Sequence, residues 1–359
     1  MASPPVPPDS STPRSGTPTI KDVARMAAVS AGTVSKALNG GGQLRAETRQ
    51  RVLEAARQLG FQPNTLARSL LRGRTYTVGL LTSDSFGRFS IPLMQGIEDA
   101  LGAGQLAVFL CDARGDAVRE QHYLRTLLSR RVDGIIVTGR RADTRAPLSQ
   151  DPLPVVYAYT KSAAPEDLSV VPDDVQGGRL ATEHLLAAGR RHLAHVTGPT
   201  RFEAVLERAN GMRAALAAAG LEVARDHVLT GSWSEAWGRE AATELLDGDR
   251  HIDGIFCGSD QIARGVADAL RERGVRVPED IALVGYDNWE VIAAATRPPL
   301  TTVDMNLEGL GQAAADHLLA MIGGMRASGI VRLPCRLVIR SSSGVSSLRD
   351  WPASGTPPA

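Results

Sequence analysis

Apolar residues recur at two different spacings along this 359-residue chain, and the change falls near residue 76. Before it, Ile20, Val23, Ala24 and Ala27 follow helical spacing, as do Val29, Val34 and Leu38. The pattern predicts two short helices, Ile20 to Ala27 and Ala31 to Leu38, with only Ala28-Val29-Ser30 between them. That gap is a tight turn. Thr19 and Ser30 stand where a hydroxyl accepts a free backbone N–H at a helix start. Val52, Leu53, Ala56 and Leu59 mark a third helix over Gln43 to Leu59, stopped by Gly60. Ala31, Gly32, Ser35 and Lys36 are left pointing outward from the second helix.

From Tyr76 onward, apolar runs alternate with amphipathic helices. Val78–Thr82, Leu106–Leu110, Gly134–Thr138, Val155–Tyr159, Leu193–Thr197, Gly254–Gly258 and Ile281–Tyr286 read as mostly buried strands. Helices are expected at Ile91–Leu101, Gly177–Ala188, Ala204–Ala219, Ser234–Leu246 and Ile262–Arg273. This is the βαβ rhythm of parallel sheets covered on both faces, and so many strands require two sheets.

Charge sharpens the division. Residues 18–75 hold ten Lys or Arg against three Asp or Glu, whereas residues 76–359 hold 29 against 35. The near-neutral total therefore conceals a basic head, placed where phosphates would be met. Cys111, Cys257 and Cys335 are far apart and lie in or beside apolar runs, which predicts buried free thiols in a reducing cytoplasm. No stretch is apolar for long enough to span a bilayer, and residues 1–17 lack the apolar core of a secretory signal. Both ends, residues 1–17 and 346–359, read as disordered tails.

The run from Thr19 to Leu71 resembles the headpiece of the lactose-repressor/galactose-repressor family of bacterial transcription factors. Its hinge motif stands here as Pro63-Asn64 followed by Ala67-Arg68-Ser69-Leu70. The later segments Gly177-Gly178-Arg179-Leu180-Ala181-Thr182-Glu183-His184-Leu185, Val284-Gly285-Tyr286-Asp287 and Pro299-Leu300-Thr301-Thr302-Val303 are similar to that family's effector core. The resemblance thus spans about Thr19 to Gly344. It implies an N-terminal all-α helix-turn-helix headpiece (residues 18–62), a hinge helix and linker (63–74), and an α/β effector-binding and dimerisation core (75–345). That core would have the two-subdomain, parallel-sheet architecture of periplasmic binding proteins.

The resemblance also implies which residues meet DNA. These are Thr19, Ser30, Ala31, Gly32, Thr33, Ser35, Lys36 and Asn39 in the headpiece, with Asn64, Ala67, Arg68 and Leu70 in the hinge. Leu70 would wedge a central base step in the minor groove. By the same resemblance Phe89, Arg208, Asn210, Trp233 and Asp260 are the effector contacts. Arg and Asp can fork onto vicinal hydroxyls while the aromatic faces stack on a sugar ring or a purine. Plainer alternatives stand beside three of them: Asp260 as the cap of a helix starting at Gln261, Phe89 as core, Arg208 as half of an ion pair.

The departures are informative. Ser90 replaces a frequent second aromatic beside Phe89, which favours a sugar over a planar base as effector. Asp173-Asp174 stands where relatives carry Asp-Asn, and Arg45 where they place a Ser or Thr cap, at a local cost of about 1 kcal/mol. Ala31 and Gly32 have no side-chain donor, so of the three only Lys36 can donate from its side chain to guanine O6 and N7.

The Walker loop, His-Glu-x-x-His and Gly-x-Ser-x-Gly motifs of common enzymes are absent. His184, His192 and His195 fall on different elements, so neither a metal nor a cofactor is expected. A solute-binding protein would have no use for the headpiece. Expected partners are a double-stranded operator, a second copy of the chain, since no heptads suggest a tetramer, and a small molecule. A sugar comes first, a nucleoside or purine second, with the protein cytoplasmic and at the nucleoid.

Overall fold

The computed structural model describes residues 18–38, 44–61, 74–85, 87–101, 106–148, 153–222, 224–248 and 251–344, and the chain separates into two units, Met1–Thr75 and Tyr76–Ala359. The first unit has three described helices, Ile20–Met26 (α1), Ala31–Leu38 (α2) and Ala46–Gln58 (α3). Val23, Ala24 and Ala27 pack with Val34, Ala37, Val52, Ala55 and Ala56 to close a small core. All eight are alanine or valine, so the helices can cross closely.

Several of the helix ends have a local cause. Thr19 and Asp22 form a reciprocal capping box, with the Asp22 carboxylate accepting from the Thr19 N–H at 2.9 Å and its hydroxyl at 2.6 Å. Ser30 Oγ accepts from the Thr33 N–H at 3.1 Å and starts α2. The turn between them places Ala28 at φ 51°, in the left-handed region. The third helix begins at Ala46, not Gln43; Arg45 stands before it without a side-chain cap, so nothing extends it backward. It ends where Gly60 adopts φ 62° and the Phe61 N–H turns back to the Ala56 carbonyl at 2.9 Å. Across the unit, Arg51 Nε donates to the Ala27 carbonyl at 3.0 Å and ties α3 to the end of α1.

The second unit consists of two lobes. The strands of the first, in chain order, are Thr77–Thr82 (β1), Ala107–Asp112 (β2), Gly134–Thr138 (β3), Val155–Ala158 (β5), Leu168–Pro172 (β7) and Gly329–Leu333 (β13). They form an all-parallel sheet in the order β13-β7-β5-β3-β1-β2. The short strands Thr144–Arg145 (β4) and Lys161–Ser162 (β6) pair beside it. The second lobe holds Leu193–Thr197 (β8), Val228–Thr230 (β9), Gly254–Cys257 (β10), Ala282–Tyr286 (β11), Thr301–Asp304 (β12) and Arg336–Val338 (β14), ordered β14-β12-β11-β10-β8-β9. Among the described residues, only the pairing of β12 with β14 is antiparallel.

The chain passes between lobes at three described places: after Pro172, after Asp304 and between Leu333 and Arg336. These crossings are tied together. The Asp173 N–H donates to the Leu333 carbonyl at 2.8 Å, and the Cys335 N–H to Gln176 Oε1 at 2.7 Å.

The helices that cover the sheets are Ser90–Leu101 (α4), Ala117–Ser129 (α5), Asp174–Ala187 (α6), Glu203–Ala218 (α7), Glu235–Asp247 (α8), Asp260–Glu272 (α9), the short Glu290–Ala293 (α10) and Leu307–Ile322 (α11). Where α6 crosses α7 their backbones nearly touch. A Cβ on Gly178 would stand 2.2 Å from the Arg208 carbonyl oxygen, and one on Gly211 2.0 Å from that of Val175. Only glycine fits at either place.

Two expectations change. Strand β2 is an edge strand with Phe109 and Leu110 exposed, not a buried one; β1 pairs with it on one side only. The pattern also leaves β4, β6, β7, β9, β12, β13 and β14 unassigned. The three cysteines are free and buried, as the apolar runs around them require.

Candidate nucleic-acid and small-molecule sites

Helix α2 buries Val34 and Ala37 and exposes Ala31, Gly32 and Lys36, with Thr33 and Ser35 half-buried. Its first turn is fixed by Ser30, whose hydroxyl also meets Thr33 Oγ1 at 2.9 Å. Thr19 is occupied by Asp22 at the start of α1. Lys36 has no ion-pair partner among the described residues. Asn39 and the hinge positions Asn64, Ala67, Arg68 and Leu70 lie outside them.

In the second unit the carboxyl ends of the parallel strands of the two lobes face each other across a cleft of about 180 Å³. The first lobe contributes Arg88 and Phe89 after β1, Arg140 and Arg141 after β3, and Tyr159 after β5. Phe202, Arg208, Trp233, Gln261 and Asp287 come from the second. Phe89 is held by its own loop: buried Asp84 accepts from the N–H groups of Phe89 at 2.7 Å and Ser90 at 3.0 Å. Its ring packs on Tyr159, centroids 4.9 Å apart, and the Arg88 guanidinium lies 4.8 Å from its centroid. Trp233 lies against Gly198, where a Cβ would come within 2.3 Å of the indole.

Two seams join the lobes beside this space. Arg88 donates to Gln261 Oε1 at 3.1 Å and ion-pairs with Asp287. On the other side, Glu203 at the start of α7 accepts from the Thr144 N–H at 3.0 Å and hydroxyl at 2.7 Å, and ion-pairs with Lys161. Strain gathers here too, since Tyr159 (φ 55°), Asp287 (φ 103°) and Asn288 (φ 51°) all occupy the left-handed region.

Arg208 is the most committed side chain. Nε donates to Asp174 Oδ1 at 2.8 Å, Nη1 to the Gly258 carbonyl at 2.6 Å, and Nη2 to Met305 Sδ at 3.7 Å. These bonds leave one N–H on each terminal nitrogen. Burial works against its charge, but the carboxylates of Asp174 and Asp287 outweigh it and hold the guanidinium above its ordinary pKa. Arg208 is thus half of an ion pair and also a wall of the cleft.

Asp260 and Asn210 do not line the cleft. Asp260 is fully buried beneath it as the first residue of α9, whose cap is Ser259. Its Oδ2 accepts from the Trp289 N–H at 2.7 Å, and Oδ1 lies 2.6 Å from Thr302 Oγ1. Burial, and then the neighbouring Asp287, push its pKa to about 8. Asn210 is exposed and accepts from Arg213 at 3.0 Å. It follows Arg208 by two residues on α7, and at 3.6 residues per turn that aims it away.

Arg88, Arg140, Arg141, Tyr159, Phe202 and Asp287 were not singled out by sequence. A signal existed for the arginine pair, since both follow the strand Gly134–Thr138 after a single glycine, Gly139. Among the described residues, no group of three His, Cys, Asp or Glu is placed to hold a metal. His184 instead meets Ser343 Oγ at 2.7 Å, and His195 Nδ1–H donates to the Phe256 carbonyl at 2.9 Å; burial lowers both pKa values to about 4.

Known proteins are similar to both parts of the chain. Residues 19–64 match the family described as bacterial regulatory proteins, lacI family, and residues 75–341 that of periplasmic binding proteins and sugar binding domain of LacI family. The HTH-type transcriptional repressor PurR of Aliivibrio fischeri (strain MJ11) is 34% identical over 311 residues, 85% of this chain and 91% of that protein. A solved transcriptional regulator CelR–cellobiose complex superposes with a TM-score of 0.62 at 31% identity, over 90% of this chain and 99% of that one. The lac repressor dimer bound to operator and the anti-inducer ONPF gives a TM-score of 0.69 at 26% identity, over 91% and 99%.

Proposed function

The chain belongs to the lacI family of bacterial regulatory proteins, and from that premise we propose that it is a cytoplasmic repressor which grips a near-palindromic operator as a dimer under the control of a small sugar-like effector. One observation carries the reading. Helix α2 is capped at Ser30, buries Val34 and Ala37, and presents Ala31, Gly32 and Lys36 to solvent on the basic end of the chain. Such a helix can enter a major groove, and two-fold symmetry would pair two of them with two half-sites.

Control by a ligand follows from the cleft. Both seams beside it, Arg88 with Asp287 and Glu203 with Thr144 and Lys161, cross between lobes. A molecule entering there shares or replaces these contacts, so it binds one lobe arrangement better than another. Operator and effector then change each other's affinity by the same factor. Phe89 is already packed by Tyr159 and Arg88, which favours a polyol over a base that needs a free stacking face.

The test is selection of bound sequences from random duplexes, repeated with sugars and nucleosides present. A symmetric consensus whose recovery changes with a sugar supports the proposal. No preference over scrambled duplex at near-physiological salt, whatever small molecule is added, refutes it.

A further inference from the structure

Among the described residues, the cleft is lined by four guanidinium groups and a single carboxylate, that of Asp287. Three of the four are matched by acidic partners. Arg88 meets Asp287, Arg208 meets Asp174 at 2.8 Å, and Arg141 meets Asp143 at 3.0 Å. Arg140 is exposed and has neither an ion pair nor a hydrogen bond to a partner among the described residues.

Its neighbour is oriented toward the same space. The Arg141 guanidinium lies 4.5 Å from the centroid of Phe202, a second-lobe ring in the cleft wall. Burial of the Asp260 carboxyl beneath the floor, and its neighbour Asp287, raise its pKa and so disfavour negative charge there. A neutral sugar would leave Arg140 facing only water, whereas a carboxylate or phosphate can take a guanidinium fork in two parallel hydrogen bonds. The space is also small. About 180 Å³ is below the ~300–1,000 Å³ of drug-sized pockets, which suits one ring.

We infer that the effector carries an anionic group, a carboxylate or a phosphate, on a single sugar-like ring, and that Arg140, flanked by Arg141, receives it. This rests on the cleft being the effector site, as proposed above.

The full-length protein would be titrated with matched probes by calorimetry and tryptophan fluorescence, since Trp233 lines the cleft. The probes are glucose, glucuronate and glucose 6-phosphate, then galactose, galacturonate and galactose 6-phosphate, then ribose and ribose 5-phosphate. The expected result is at least tenfold tighter binding of one anionic member than of its neutral counterpart. That advantage should weaken with added salt, vanish in Arg140→Gln and survive in Arg125→Gln, which removes an exposed charge elsewhere. Whether the uronate or the phosphate wins identifies the anion. A neutral sugar binding as tightly, or an advantage untouched by Arg140→Gln, overturns this inference and leaves the effector site standing. If no probe of either kind binds, both fall.

Discussion

Arg208 lies over the ring of Tyr286, its guanidinium carbon 3.6 Å from the centroid, and both side chains bond the same oxygen, Asp174 Oδ1, at 2.8 and 2.7 Å. Tyr286 OH is also 3.5 Å from Cys335 Sγ, on the segment between β13 and β14, and that sulfur donates to the Asp173 carbonyl at 3.4 Å. The cleft wall is therefore linked to two of the crossings between lobes through buried polar contacts.

Asp174 holds this network together, so its removal separates two roles. Asp174→Ala leaves the Arg208 charge buried without its nearest partner, and the expected loss is roughly 3–5 kcal/mol of stability, read by urea denaturation of the core. Asp174→Asn keeps an acceptor for both bonds and should cost less. Its effect should appear instead as a change in how strongly an effector alters operator affinity. If Asp174→Ala were as stable as the parent, the pair would have no structural role.

Stability should depend on pH through Asp260. Its pKa rises on folding from its ordinary 3.8 to about 8, so between those values the native state holds a proton that the unfolded state has released. Stability therefore falls as pH rises through that window. Asp260→Asn can accept from the Trp289 N–H and donate to Thr302 Oγ1 without titrating. Denaturation midpoints from pH 5 to 8 should decline less steeply in this variant than in the parent. Equal slopes would mean that Asp260 does not titrate there.

Packing of α6 against α7 sets the position of Arg208. In Gly211→Ala the new methyl would meet the Val175 carbonyl oxygen at 2.0 Å. Because that obstacle is backbone, the helices must separate, at an expected cost of about 1–3 kcal/mol or more. The melting temperature should drop, and effector affinity should weaken with it as Arg208 is displaced. An unchanged melting temperature would show that the contact relaxes without cost.

How much of this was legible in the sequence depends on how local each feature is. Helices α1 and α2 follow from the spacing of Ile20 to Leu38 and from the hydroxyls at 19 and 30, all within one turn of what they cap. The buried strands follow from their own composition. Strands β13 and β14 do not, because Gly329–Leu333 has half-exposed residues and gains its register only from β7, more than 150 residues earlier. At the site, Phe89, Arg208 and Trp233 were legible by resemblance. The partners of Arg208 were not, since Asp174 is 34 residues away and Tyr286 bonds Asp174 across 112. The resemblance also implies Asp260 as an effector contact, whereas in the structure its side chain bonds Trp289 and Thr302.

Lys36 offers the sharpest test of the nucleic-acid face. Ala31 and Gly32 precede it on α2 without side-chain donors, and all three are exposed. If Lys36 reads guanine O6 and N7, Lys36→Ala should cost about 1–3 kcal/mol on the selected operator and relax preference at one base pair in each half-site. If Lys36 meets only phosphate, affinity should fall by a similar factor on every duplex, and the dependence on salt should become shallower by about one unit of slope. The two outcomes are distinguished by titrating the variant against the operator, single-base variants of it and scrambled duplex at several salt concentrations. The donor chemistry of the helix favours the first: of the three exposed positions 31, 32 and 36 only Lys36 carries a side-chain donor, so a uniform loss would leave side-chain base reading on α2 to the half-buried hydroxyls of Thr33 and Ser35.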